Sequence, residues 1–523
     1  MKNKLLWILA ILFIPFFLNA QPLVKMGTPY PVVDAGNKFY FHIDKDILTV
    51  KIKGDEVYIS ILNPQTLEQA NSFINNTLPK SFSFNNVIQL ENKFYFFYTI
   101  WDKANETEHL LSQKINVNTC KLDGEVNQIL TMKGRGNIFN YYYSYDKSKV
   151  LIMYRLKPEI KRDALNYAII GLNIFDDNLN KISLQEIKMS HTEKQMDNID
   201  YAVDSDGNAY VLSLVKNDTP EKENGKNSHF VEILKIKPNS PIVTTIPVVL
   251  QGKYITKLWL YESSKNKMVC AGYYSKQEDS YNANGLMMFN INNDNKIVGM
   301  IHHDIPIEVL NQFVSEKAQL NNEEKEKRDK AEFENLQLRN FIVQSDGSIL
   351  LIGEQYFSSN TVSNFQGRQH PITHVIHSDI LACKLNADGS LAWMRKLPKR
   401  QVAILQGVLS YYPFYYKGTM SYQYMNGGED HYFLFLDNKK NMELSLNKYP
   451  KIQMDGPGFL TAYKVNDSSG LVNKISILDT RGVEGIPLHQ FSVDRILPIS
   501  AKEFVFEAYK KGKEDVMLKV TFP

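Results

Sequence analysis

Three histidines crowd one short stretch of the chain, His370, His374 and His377, with Asp379 close behind. Imidazole and carboxylate are the ligands that zinc and similar divalent metals take. On a helix the three imidazoles would share one face. On a strand His374 and His377 would point to opposite sides. Pro371 and the β-branched Ile372, Thr373, Val375 and Ile376 favour the strand, so the expectation is a polar loop running into a strand, with no metal held. A second polar knot, His302-His303-Asp304, is a poor chelate by itself, because adjacent residues of an extended chain diverge.

The densest aromatic run is Tyr411-Tyr412-Pro413-Phe414-Tyr415-Tyr416. Aromatic faces stack on sugars, and a phenol adds a hydroxyl. Tyr411, Tyr412, Tyr415 and Tyr416 are therefore binding candidates beside His370, His374, His377 and Asp379, with packing as the competing role. Motifs for covalent or phosphoryl chemistry are missing: no GxSxG elbow, HExxH, P-loop or GxGxxG occurs. Gly427-Gly428-Glu429-Asp430 lacks the ligand spacing of a calcium loop and reads as a turn. No catalytic residue and no cofactor is indicated.

The elements that must position these residues are strands. Val516, Leu518, Val520 and Phe522 alternate with Met517, Lys519 and Thr521. Other runs are apolar on both faces, such as Tyr432 to Leu436 and Lys93 to Ile100, as expected of strands covered on both sides. Words recur: Asn37 to Phe41 returns as Asn92 to Phe96, and Ser205-Asp206-Gly207 returns as Ser345-Asp346-Gly347. A unit of several tens of residues carrying about four strands is the signature of a β-propeller. Turns joining the first two strands of each unit fall near residues 45, 92, 147, 207, 265, 347, 429 and 501, which predicts an all-β propeller of eight blades. Seven blades plus an irregular terminal piece is the alternative, and the NKFYF repeat favours it by shifting the first blade by one strand.

Two segments interrupt the repeat. Residues 305 to 337 read as a helical insertion between blades, with Ile307, Leu310, Phe313 and Val314 on an apolar stripe and a wholly polar stretch from Asn321 to Arg328. Residues 358 to 378 read as a loop. The last blade shows three strands, and Leu23 to Met26 is placed to supply the fourth, closing the ring and removing exposed edges.

Lys2, Lys4, the apolar run Leu5 to Leu18 and Leu18-Asn19-Ala20 have the pattern of a signal peptide over residues 1–20. The mature chain, residues 21–523, is then one exported propeller domain, in the periplasm or at the outer surface. A net charge of +3, spread along the chain, argues against a nucleic-acid footprint. Cys120, Cys270 and Cys383 are an odd, widely spaced set without a CxxC pair, expected to be buried free thiols.

The segment from Leu338-Arg339-Asn340-Phe341 through Gly353-Glu354-Gln355-Tyr356 to Asp379-Ile380-Leu381 and Arg395 to Gln401 resembles a group of exported, uncharacterised proteins of Bacteroidota-type bacteria. The resemblance spans roughly residues 300 to 440. It implies a cell-envelope location and a propeller-like fold, and brings no active site with it. The expectation is a monomeric, non-catalytic binding or scaffold module for an envelope protein or glycan. The alternative is an enzyme acting on polysaccharide or peptide at the central channel, with or without a bound metal.

Overall fold

The computed structural model describes residues 21–523 apart from 159, 161–162, 164, 217–228, 251, 279, 366–367, 407–417, 484, 490 and 511. The chain folds into eight antiparallel sheets that follow one another in sequence. Each is built on four blade strands, a to d, with a innermost, and the sheets of blades 6 and 8 take on two further strands each. Blade 1 runs from Asn37–Ile43 to Gln69–Asn75, blade 2 from Ser83–Leu90 to Lys121–Lys133, and blade 3 from Asn140–Tyr143 to Lys181–Thr192. Blade 4 spans Met196–Val203 to Val243–Val248, blade 5 Tyr254–Ser264 to Ile297–Asp304, blade 6 Leu336–Val343 to Leu391–Leu397, and blade 7 Gln423–Asn426 to Val472–Asp479. Blade 8 takes a, b and c from Ile496–Ser500, Glu503–Lys510 and Glu514–Thr521, and d from Leu23–Met26.

All eight predicted turns join strands a and b of successive blades. The strand Leu23–Met26 pairs antiparallel with Leu518 to Thr521, as expected from the missing fourth strand. The NKFYF words occupy different places: Asn37–Ile43 is strand a of blade 1, whereas Lys93–Asp102 is strand b of blade 2. That repeat reflects shared strand chemistry, not blade phase, and the seven-blade alternative falls with it.

Apolar packing closes the ring. Each pair of neighbouring blades shares one cluster. Leu48 and Val50 meet Phe94 and Phe96 between blades 1 and 2, and Phe433 and Phe435 meet Leu350 and Ile352 between blades 6 and 7. This explains the strands that are apolar on both faces: Tyr432 to Leu436 are all at most 3% exposed, because a blade lies against each side. The final junction, between blades 8 and 1, holds the small cluster Ile47, Leu62, Leu67, Val505 and Met517. A buried polar network supplements it. Glu507 accepts hydrogen bonds from Tyr30 at 2.6 Å and Tyr40 at 2.7 Å, and pairs with Lys51 and, at 3.1 Å, with Lys38.

The insertion after blade 5 contains two helices, α1 (Ile307–Leu310) and α2 (Glu316–Glu326). Val309 and Leu310 are buried between blades 5 and 6, with Ile307 packed against the same cluster. Phe313 and Val314 lie outside both helices, so the predicted stripe ends sooner than its spacing suggested. The insertion also ends earlier than predicted, since Leu336 and Gln337 already belong to blade 6. Helix α2 buries no residue. Residues 358 to 378 are not a loop. They lie largely within two long paired strands, Ile349–Phe365 and Arg368–Leu385. Cys120, Cys270 and Cys383 are buried free thiols. Among the described residues no helix is long and apolar enough to cross a membrane.

Candidate recognition face

Antiparallel blades send their a–b and c–d turns to one face of the ring and their b–c and d–a connections to the other. On the turn face the connections are tight. Asp206-Gly207 and Asp346-Gly347 make turns in which glycine adopts φ near +80°, a region open to it for want of a Cβ. The longest connections there cover only residues 63–68 and 237–242. Among the described residues the longest segments of the opposite face, within 305–335, 398–422, 438–458 and 480–495, all lie between blades 5 and 8, and the 156–166 connection of blade 3 is shorter. Among the described residues the elaboration is therefore one-sided and heaviest between blades 5 and 8.

Several of these segments form one cap. Strands b and c of blade 6 run beyond the blade, with residues 356 to 365 paired to 368 to 377. Gln401–Gln406 adds antiparallel to Ile372–His377, and Gln453–Met454 adds parallel to Gln401–Val402. The cap has a small core of its own, Val375, Ala403, Leu405 and Met420, with Tyr356 against it. Arg400 lies over the Tyr449 ring at 4.7 Å. Phe313 donates its backbone N–H to Leu446 at 2.5 Å, tying the first insertion to the third.

A buried charge network lies where the cap leaves the blade. Strand c changes partner there: Ile380 to Leu385 pair with Leu391–Leu397, whereas Ile372 to His377 pair with Gln401–Gln406. Register also breaks between Glu354 and Tyr356, so residues 378–379 bulge. The Glu354 side chain is fully buried. Its Oε1 lies 2.7 Å from Lys399 Nζ. Its Oε2 lies 2.9 Å from His377 Nδ1 and 3.2 Å from Arg339 Nε, and accepts from Ser421 Oγ at 2.8 Å. Lys399 also donates to Gln401 Oε1 at 3.0 Å, and Gln401 donates to the Leu436 carbonyl at 2.9 Å.

Burial by itself would raise the Glu354 pKa, but Lys399, His377 and Arg339 together hold it well below the carboxylate range. Burial pushes His377 and Lys399 below their ordinary values, against the pull of Glu354. Asp379 accepts from the Lys399 backbone N–H at 3.1 Å and lies 3.3 Å from Lys396 Nζ. Lys396 in turn donates to the Leu310 carbonyl at 3.2 Å. The network therefore joins blade, cap and helical insertion. With each charge answered internally, it can fix the cap's orientation, and it presents no free nucleophile–base pair.

His374 and His377 are thus not brought together into a chelate. His377 faces the Glu354 network, and His374, three residues away on the same strand, is half-buried on the other side. His370 belongs to the same strand. His302 packs edge-on against Tyr274, and His303 Nε2 lies 2.8 Å from the Gly389 carbonyl, apart from this cluster. Among the described residues no group of three His, Cys, Asp or Glu is placed to hold a metal. Tyr411, Tyr412, Tyr415 and Tyr416 lie outside the described residues. Sequence reasoning missed Glu354, Lys399, Arg339 and Gln401 as a site. All four stand in the words that carry the family resemblance, which was the available signal.

Cavities open around the long connections, among them one of about 510 Å³ beside Phe313, Met442 and Leu446. Another of about 460 Å³ is lined by Lys38, Thr419, Asp455, Phe491, Asp494 and Arg495. A narrower one of about 240 Å³ lies between α2 and the cap, beside Asn322, Lys325, Phe333 and Tyr449.

No protein-family model and no curated protein matches the chain. Among solved structures, a prolyl endopeptidase is similar over 94% of this chain at 10% identity and a TM-score of 0.40. The present chain spans only 55% of that protein's length. The β-propeller domain of the Trilobed protease from Pyrococcus furiosus is similar at 10% identity and a TM-score of 0.36, covering 86% of this chain and 97% of that one. A protein of unknown function from Dyadobacter fermentans is similar at 9% identity and a TM-score of 0.32, over 85% and 96% of the two chains. At such values the description of the fold rests on the chain's own eight sheets and their pairing.

Proposed function

We propose that this protein is an exported, non-catalytic recognition module of the cell envelope, which engages a protein or glycan through the elaborated face of blades 5 to 8. One observation carries the reading: among the described residues the longest connections are gathered on one face between blades 5 and 8, while the other face is reduced to tight turns. Loops on a rigid frame are where recognition sits, because the frame bears the cost of ordering them. The Glu354 network supports the same reading, since it locks the cap to blade 6 without leaving a group free for chemistry. Export rests on the pattern of residues 1–20.

The test is crosslinking in cells of the tagged protein, followed by mass spectrometry, with and without the insertion's outer part. Removing all of residues 305 to 337 would cut into the core through Val309, Leu310, Phe333 and Leu336. Replacing α2 alone with a flexible linker avoids this. A partner captured in near-equal amount by the native protein, and weakly by the α2 replacement, is the expected result. Equal capture by both would remove α2 from the binding surface, and capture of background only would count against the whole reading.

A further inference from the structure

The innermost strands of blades 3, 4, 5 and 6 line a separate, half-open cavity of about 410 Å³ at the inner side of the ring. Its walls are rings: Tyr142, Tyr201, Trp259, Tyr261 and Phe341 line it. Tyr142 and Tyr201 sit with centroids 5.6 Å apart, and Tyr261 and Phe341 5.8 Å apart. Ser144 and Lys147, from the a–b turn of blade 3, also line it, so it belongs to the tight-turn side and not to the cap.

Two carboxyl groups line this cavity. Glu262 is fully used, accepting from the backbone N–H groups of Tyr145, Ser205 and Asn266 and from the Ser205 hydroxyl, all within 3.0 Å. It stitches the turns of blades 3, 4 and 5 together. Asp200 is different. Its Oδ2 accepts from the Leu260 backbone N–H at 2.7 Å, and among the described residues no cation pairs with it. Burial raises its pKa to about 7, only partly offset by the Leu260 and Tyr201 N–H groups. The titratable groups facing it are Tyr142 of blade 3, the adjoining Tyr201 and Cys270 of blade 5, all neutral at physiological pH. Arg155 acts on Tyr201 and is itself paired with Glu193. Lys147 is exposed at the rim.

We propose that this cavity binds an organic ammonium ion, seated against the ring faces with Asp200 as its counter-ion. The faces of tyrosine, tryptophan and phenylalanine rings carry the negative end of the ring quadrupole and attract cations, most strongly where water is excluded. A carboxyl lacking a cationic partner in such a site is complementary to a cation. A neutral sugar would leave its charge unanswered. The cation stabilises the ionised carboxylate, so binding releases a proton near neutral pH and strengthens as pH rises through that range.

The experiment titrates the whole mature protein calorimetrically with choline, with benzylamine, and with 3,3-dimethylbutan-1-ol, the uncharged isostere of choline, at about pH 6 and about pH 8. Both cations are expected to bind at least ~10-fold more tightly than the neutral alcohol, and more tightly at the higher pH. Asp200→Asn is expected to weaken cation binding by at least ~10-fold. Tyr261→Ala alters a 37%-exposed ring and is expected to weaken it several-fold, giving a second reading should the Asp200 variant fail to fold. Equal binding of choline and the alcohol, no binding of either cation, or cation affinity unchanged in a folded Asp200→Asn protein would each overturn the proposal.

Discussion

His377 and Glu354, 23 positions apart in the chain, meet at 2.9 Å inside the protein at the point where strand c of blade 6 exchanges one partner for another. Lys399 and Arg339 complete the neutralisation of that carboxylate. Removing one member of a buried ionic group is far more damaging than replacing the whole group, because the remaining charges stay in a dry site. Glu354→Gln should therefore destabilise the protein by about 3–5 kcal/mol in urea unfolding. A loss below ~1 kcal/mol would mean that the site is wetter than its burial implies.

Acid should weaken the fold through the same residues. Glu354 and His377 both have lowered pKa values in the folded state, so the folded protein binds fewer protons than the unfolded one. Stability then rises with pH. On acidification it should begin to fall as pH drops below the ordinary histidine value of 6.5, and fall further below the ordinary glutamate value of 4.5. Thermal unfolding midpoints measured across this range should show the decline, and Glu354→Gln should flatten its lower part. An unchanged slope in the variant would place the acid sensitivity elsewhere.

Ring closure depends on Glu507. Burial would raise its pKa, yet Lys51 and Lys38 bring it down to about 2, and hydrogen bonds come from Tyr40 of blade 1 and from Tyr30 of the N-terminal segment paired to blade 8. The apolar cluster there is small. Glu507→Gln is expected to cost about 3–5 kcal/mol. Deleting residues 21–31 should leave strand Glu514–Thr521 as an open edge, lowering the melting temperature and promoting self-association in size-exclusion chromatography.

Gly272, on strand b of blade 5, admits the neighbouring strand at close range. A Cβ there would stand 2.0 Å from the Lys257 carbonyl oxygen and 2.8 Å from the Leu258 Cα. Both are backbone atoms, so relief requires the strands to part beside the register break between Ile255 and Lys257. Gly272→Ala should cost about 1–3 kcal/mol, as overpacking does. A neutral result would show that the bulge can absorb a methyl group.

Helix α2 should contribute little to stability. None of its side chains is buried. A Gly-Ser linker in place of Glu316–Glu326 should change the unfolding free energy by no more than about 0.5 kcal/mol. A larger loss would make the helix part of the core and remove it from the binding surface.

The ring was legible because its determinants are local. A turn such as Ser205-Asp206-Gly207 and the alternation around it identify a hairpin without reference to distant residues. The closure by Leu23–Met26 was legible by counting strands. The cap was not. Residues 358 to 363 are largely polar, as in Ser358, Ser359, Asn360 and Thr361, because that hairpin stands in solvent and shows little apolar period. Its third strand, Gln401–Gln406, lies beyond strand d, so the pairing is non-local. The Glu354 network depends on the same pairing and on the bulge at 378–379, and neither has a periodic signature. The histidine spacing, conspicuous in sequence, divides His374 from His377 across a strand.

Crosslinking in cells shows directly whether the elaborated face engages a partner. Tagged native protein and the α2 replacement, both shown to be folded, are crosslinked in parallel and their captured partners quantified by mass spectrometry. The account predicts a partner recovered in near-equal amount with the native protein, with crosslinks mapping to residues 305–335, 356–377 or 438–458, and reduced recovery with the replacement. Crosslinks confined to the tight-turn face, or recovery of background proteins only, would contradict it.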